Sequence, residues 1–129
     1  TEKARSVLPK TVSMEKLVHN VGHAATMAAG FATGNVDLIG KSMSDAVVEP
    51  ARAFLVPGYR EVRERALKAG ACGVAISGAG PAMIAMINRD KADASKVAEA
   101  MEEGFKSAGV SATTICTKPG KGVSLLEVK

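Results

Sequence analysis

The chain has 129 residues, enough for one compact domain and too few for two. Apolar residues make up 47% and charged residues 23%, a globular balance that excludes a disordered chain. The net charge of +4 comes from Lys and Arg interleaved with Asp and Glu, with one Tyr and no Trp. Nucleic-acid binding is therefore not indicated, and anionic small molecules fit the excess better.

No apolar run reaches the roughly 18 residues of a membrane helix and no signal peptide is visible, so a cytoplasmic protein without membrane partners is expected. Cys72 and Cys116 lack Cys-x-x-Cys spacing, and each sits in an apolar stretch, as buried reduced thiols do. The chain opens on Thr1 rather than Met, as a processed product or a piece of a longer protein would.

In chain order, "TEKARSVL" predicts two helical turns stopped by Pro9. Thr11 and Ser13 are N-cap candidates for the following helix, "MEKLVHNVGHAATMAAGF". There Leu17, Val18, Val21, Ala24, Ala25 and Ala28 recur at helical spacing. Gly34 reads as its stop and Asn35 as the cap of a shorter helix, "VDLIGKSMSDAVV". "EPARAFLVPGY" carries two prolines and predicts a loop, and "YREVRERALKAG" predicts a helix ended by Gly70.

The period then changes. "CGVAIS" and "AMIAMIN" read as buried strands, although periodicity alone does not exclude helix for runs this short. "DKADASKVAEAMEEGFKSAG" is an amphipathic helix with Val97, Ala100, Met101 and Phe105 inward. "VSATTICTK" and "GVSLLEVK" predict two more strands joined across "PGK". Helices followed by β-β-α-β-β predict an α+β fold, a ferredoxin-like two-layer sandwich with helices on one face of an antiparallel sheet.

Between the first two strands lies "AISGAGPAM". A plain hairpin connection is one reading. Small residues at Ser77, Gly78, Ala79 and Gly80 also leave successive backbone amides uncovered, and such amides form concavities that favour anions.

"GACGVAISGAGPAMIAM", with the helix ending "ALKAGA" before it, resembles the third motif of the GHMP kinases, which phosphorylate small molecules from ATP. "TEKARSVLPKTVSMEKLVHN" and "EPARAFLVPGYREV" extend the similarity, in order and spacing, to the homoserine kinase branch, so that it covers essentially the whole chain. The resemblance implies transfer of the ATP γ-phosphate to the hydroxyl of homoserine, on the route to threonine. It implies Thr1, Arg5, Arg52 and Gly78 as substrate-binding residues, and Ser77, Gly78, Ala79 and Gly80 as a loop on the phosphate side. An arginine suits the carboxylate of an amino acid because its planar fork pairs with both oxygens. Taken alone, Arg5 reads as a surface charge, Arg52 as a partner of Glu49, and Thr1 as a frayed terminus.

The family's phosphate-cradling motif, P-x-x-x-G-L-G-S-S-A, does not occur in the chain, nor does an acidic residue in a context that would hold Mg²⁺ beside it. Phosphoryl transfer needs both parts. The resemblance therefore implies residues 1–129 as a C-terminal, substrate-side domain without its N-terminal ATP-binding domain, inactive alone, with ATP and Mg²⁺ used by the intact enzyme. No catalytic base is assigned in this half. Another GHMP kinase, acting on a mevalonate-pathway intermediate or on shikimate, or a non-catalytic binding domain of the same fold, remains open. Such a half would expose an apolar face, so a homo-oligomer is expected, with the sheet or the helix surface from Ala24 to Phe31 as the contact. His19 and His23 share a helix face but lack a third ligand, which favours packing or capping over metal binding.

Overall fold

The computed structural model describes residues 2–126, and Thr1 and positions 127–129 lie outside them. Six helices and two strands follow in the order α1 (Glu2–Ser6), α2 (Met14–Thr33), α3 (Val36–Ser42), α4 (Val48–Arg52), α5 (Tyr59–Lys68), β1 (Gly73–Ile76), β2 (Met83–Met86) and α6 (Ala94–Ser107). A 3₁₀ turn, Ala53–Leu55, continues α4.

Local chemistry sets most of the boundaries. The Ser13 hydroxyl accepts from the Lys16 N–H at the start of α2, and the Asn35 side chain accepts from the Leu38 N–H at the start of α3. Asp93 does the same for Ser95 at α6. Gly34, at φ 66°, turns the chain between α2 and α3, a left-handed conformation that favours glycine.

The core lies between α5, α6 and one face of the sheet. Val62 and Ala66 of α5, Val74 of β1, and Val97 and Met101 of α6 are buried together with Ala71. The strands are antiparallel, with Val74 opposite Ala85 and Ile76 opposite Met83. Alternation sends this set toward α5 and α6. The opposite face carries Ala75, Ile84 and Met86, which border a cavity of about 440 Å³ shared with α2 and the turn after α3. Arg65 joins α5 to α6 by pairing with Glu103, and pairs with Glu61 within its own helix.

The α+β class and the antiparallel sheet are those expected, and three details differ. Residues 110–126 form no strand, so the sheet has two strands among the described residues where four were expected. The Thr114 N–H and hydroxyl both donate to the Glu102 carboxylate at 2.9 and 2.6 Å, which ties this segment to α6 and takes up a ladder donor. The stretch expected as a proline-broken loop contains α4 instead. Pro50 is its third residue, within the first turn, where a missing N–H costs nothing because no intrahelical acceptor exists there. The helix expected over residues 36–48 ends at Ser42, whose hydroxyl bonds back to the Ile39 carbonyl at 2.7 Å. Both cysteines are free, as expected, but Cys116 is exposed and Cys72 only half-buried.

Candidate functional site

The glycine-rich break is a tight connection between β1 and β2. The Ser77 N–H donates to the Ala82 carbonyl at 2.8 Å, closing the loop, and the Gly80 N–H donates to the Ser77 carbonyl at 3.0 Å. Gly78 and Gly80 have φ values of 59° and 77°. The amides of Gly78 and Ala79 donate no hydrogen bond to the described residues. Ser77 and Gly78 are exposed, and a Cβ on Gly78 would meet nothing within 4 Å. Two adjacent free donors on an open loop make a surface for an anion.

Arg52, in the last turn of α4, reaches this loop. Its Nη1 donates to the Gly78 carbonyl at 3.2 Å, and its Nε donates to the Ala4 carbonyl of α1 at 2.8 Å. Ala4 is buried and lies near the end of a five-residue helix, where carbonyls lack intrahelical partners, so the guanidinium acts there as a cationic cap. Two of the five guanidinium N–H groups are thereby engaged, and three remain to bind a ligand. The next residue of α1, Arg5, is exposed and forms no ion pair with a described residue. Arg52, the Gly78 loop and the segment bearing Arg5 are thus brought together. Thr1 lies outside the described residues.

Glu49 does not pair with Arg52. It is 8% exposed, and its carboxylate accepts from the Ile76 N–H at 2.8 Å. Burial and the Glu49 charge together raise the Tyr59 phenol above its ordinary value. Glu49 therefore holds the end of β1, from which the loop springs, against α4. Glu49→Ala would orphan the Ile76 amide and is expected to lower stability by about 2 kcal/mol, read as a lower urea midpoint with unchanged m.

Asp45 sets the start of α4. Its carboxylate accepts from the Val47, Val48 and Glu49 amides at 2.7, 2.9 and 3.0 Å, and from the Asn20 side chain at 2.8 Å. Burial pushes its pKa up, but these four donors outweigh it and hold the carboxyl below the usual value of 3.8. A depressed native pKa contributes stability that is fully present above the unfolded value and lost as pH falls through the native one. Acid titration of the unfolding midpoint should therefore fall below about pH 4, and Asp45→Asn should flatten that limb. The sequence reading did not single out Asp45. An Asp three residues ahead of Val48-Glu49-Pro50 was the available helix-start signal.

His19 and His23 stack with ring centroids 4.0 Å apart. The His19 Nε2 lies 2.9 Å from the Ser44 hydroxyl, and the His23 Nδ1–H donates to the His19 carbonyl at 2.8 Å. They latch α2 to the turn after α3, together with Asn20, whose carbonyl accepts from the Ala46 N–H at 2.8 Å. This is the packing role favoured for them.

Similarity to known proteins falls on the same elements. The chain is 48% identical over 127 residues to the homoserine kinase of Halorubrum lacusprofundi, covering 98% of this chain and 43% of that protein. It is 43% identical over 126 residues to the homoserine kinase of Methanocella arvoryzae, covering 98% of this chain and 41% of the relative. A crystal structure of homoserine kinase from Cytophaga hutchinsonii superposes with a TM-score of 0.76 at 40% identity, over 83% of this chain and 34% of that one. The chain thus spans roughly two fifths of the length of the curated relatives it matches. Residues 27–107 match the family described as GHMP kinases C terminal, and the chain belongs to that family.

Proposed function

We propose that the chain is the C-terminal, substrate-side domain, residues 1–129, of an ATP-dependent homoserine kinase, which converts L-homoserine and ATP to O-phospho-L-homoserine and ADP. The observation that carries this reading is the double engagement of Arg52 with the Ala4 and Gly78 carbonyls. It fixes one guanidinium between the segment bearing Arg5 and the open loop, with N–H groups left over.

Arg52 and Arg5 clamp the substrate carboxylate, Gly78 lines the same site, and Thr1 contributes a hydroxyl. The free amides of Gly78 and Ala79, in the Ser77–Gly80 loop, face the phosphate groups of ATP. These residues suit an anion but not a metal: among the described residues no group of three His, Cys, Asp or Glu could hold one. Mg²⁺ is accordingly assigned to parts of the kinase outside these residues. Phosphoryl transfer relies on positioning and charge stabilisation more than on a strong base, which is consistent with a substrate side built of arginines and amides. The enzyme would work in the cytoplasm in threonine biosynthesis, and no helix among the described residues is long and apolar enough to cross a membrane.

The test is substrate profiling of the complete protein with ATP. L-homoserine should give the highest kcat/KM, with mevalonate and shikimate at least 100-fold lower. A preference for either would move the assignment to another GHMP kinase, and no turnover of any would make the chain a binding domain.

A further inference from the structure

Helix α2 leaves Leu17 and Val21 of its apolar stripe 45 and 60% exposed, but beside them Asn20 is half-buried against the loop ahead of α4. The Asn20 side-chain N–H donates to the Asp45 carboxylate at 2.8 Å, and its carbonyl oxygen accepts from the Ala46 N–H at 2.8 Å. One amide thus holds two consecutive residues through a donor and an acceptor, which fixes their orientation as well as their distance.

What Asn20 holds is the anchor of α4. The first four N–H groups of a helix have no intrahelical acceptor. In α4 three of them, on Val47, Val48 and Glu49, converge on the Asp45 carboxylate, and the fourth position is Pro50, which has no N–H. With five residues, α4 is far below the length at which a helix sustains itself in water. Its attachments therefore place it: Asp45 at the start, Glu49 on the Ile76 amide, and Arg52 on the Ala4 and Gly78 carbonyls at the end. From Val48 to Arg52 the axis runs only about 6 Å, so a shift at the Asp45 end reaches the arginine almost undiminished.

We propose that Asn20 and Asp45 are positioning residues for the arginine clamp, so that α2, through this clasp, sets where the Arg52 guanidinium stands. The inference rests on the assignment of Arg52 to the homoserine carboxylate. Neither side chain touches substrate: Asp45 acts through α4, and Asn20 acts through Asp45 and Ala46. A purely structural cap would affect all substrates alike, whereas a displaced guanidinium penalises only those that carry a carboxylate.

The experiment uses the complete protein. Asn20→Ala should lower kcat/KM for L-homoserine about 10-fold and leave that for 3-amino-1-propanol, the same molecule without its carboxylate, within about twofold. Asp45→Asn leaves one acceptor oxygen for four donors and should lower the ratio of the two values further. Val97→Ala, in the core between α5 and α6, should weaken the fold without moving that ratio. By NMR, the Arg52 Nε–H, bonded to the Ala4 carbonyl, should exchange slowly with water in the wild type and lose this protection in Asn20→Ala. A ratio unchanged in Asn20→Ala, whether both values hold or both fall together, would overturn the proposal. If the complete protein phosphorylates neither compound, the homoserine reading falls by itself and the Nε–H still decides. Protection retained in Asn20→Ala would then overturn the clasp's hold on Arg52, and protection lost would uphold it.

Discussion

Arg52→Ala in the complete protein should lower kcat/KM for L-homoserine phosphorylation by about 10³-fold. Two losses combine. A charge-assisted, bidentate contact to a carboxylate contributes roughly 1.5–3 kcal/mol. The same side chain also positions its surroundings, because it holds the Ala4 and Gly78 carbonyls at 2.8 and 3.2 Å. Without it α1, with Arg5, is no longer tethered to the loop, and a misplacement of about 1 Å can itself cost 10²-fold. Arg52→Lys keeps the charge but offers a point donor in place of a planar fork, so it should recover only a small part of the loss. Steady-state kinetics with ATP saturating separates these effects: lost binding raises KM, whereas lost alignment lowers kcat.

The second large effect concerns the frame on which the loop stands. Gly40 of α3 rests directly on the first residue of β1, Gly73. A Cβ on Gly73 would stand 2.8 Å from the Gly40 Cα and nearer still to the Gly40 carbonyl oxygen. Neither atom belongs to a flexible side chain, so a methyl group must push helix and strand apart. Gly73→Ala is expected to destabilise the fold by about 3 kcal/mol, at the upper end of overpacking costs. For a domain of this size that corresponds to a fall in Tm of about 10 °C, measurable by calorimetry. The strand that moves ends at Ile76, one residue before the loop. Activity of the surviving folded fraction should therefore fall as well, which a pure stability defect would not produce.

Much of this frame was legible in the sequence. The helices α5 and α6 were visible from their period because each buries one face in the same core, where Val62, Val74 and Val97 are fully enclosed. The strands β1 and β2 and the loop between them were visible from a change of period around a glycine cluster. The short helix α4 was not, because Pro50 was taken as a breaker when it occupies a first-turn position capped by Asp45. Alternation in residues 110–118 suggested a strand, but a pattern cannot report which sheet edge is available, and Glu102 holds Thr114 elsewhere. The apolar stripe of α2 was read correctly as a stripe. Its exposure depends on what else packs nearby, which spacing does not encode.

The candidate site divides in the same way. Arg52, Arg5 and the loop glycines were singled out by resemblance. The bonds that join them were not visible, because they link positions 48 and 26 residues apart in the chain. Glu49 was weighed only as a partner for Arg52. In the fold it turns to the Ile76 amide, since a buried N–H without an acceptor is the more costly vacancy.

The most direct measurement compares L-homoserine with 3-amino-1-propanol, which keeps the hydroxyl and the amine but lacks the carboxylate. For the complete wild-type protein the ratio of their kcat/KM values should be about 10²–10³, the worth of a charge-assisted clamp. In Arg52→Ala that ratio should collapse to within a few-fold of one, because one arginine of the clamp is gone and the segment bearing the other, Arg5, is no longer tethered to the loop. A ratio unchanged by the substitution would place carboxylate recognition elsewhere and contradict the assignment of Arg52 as the clamp.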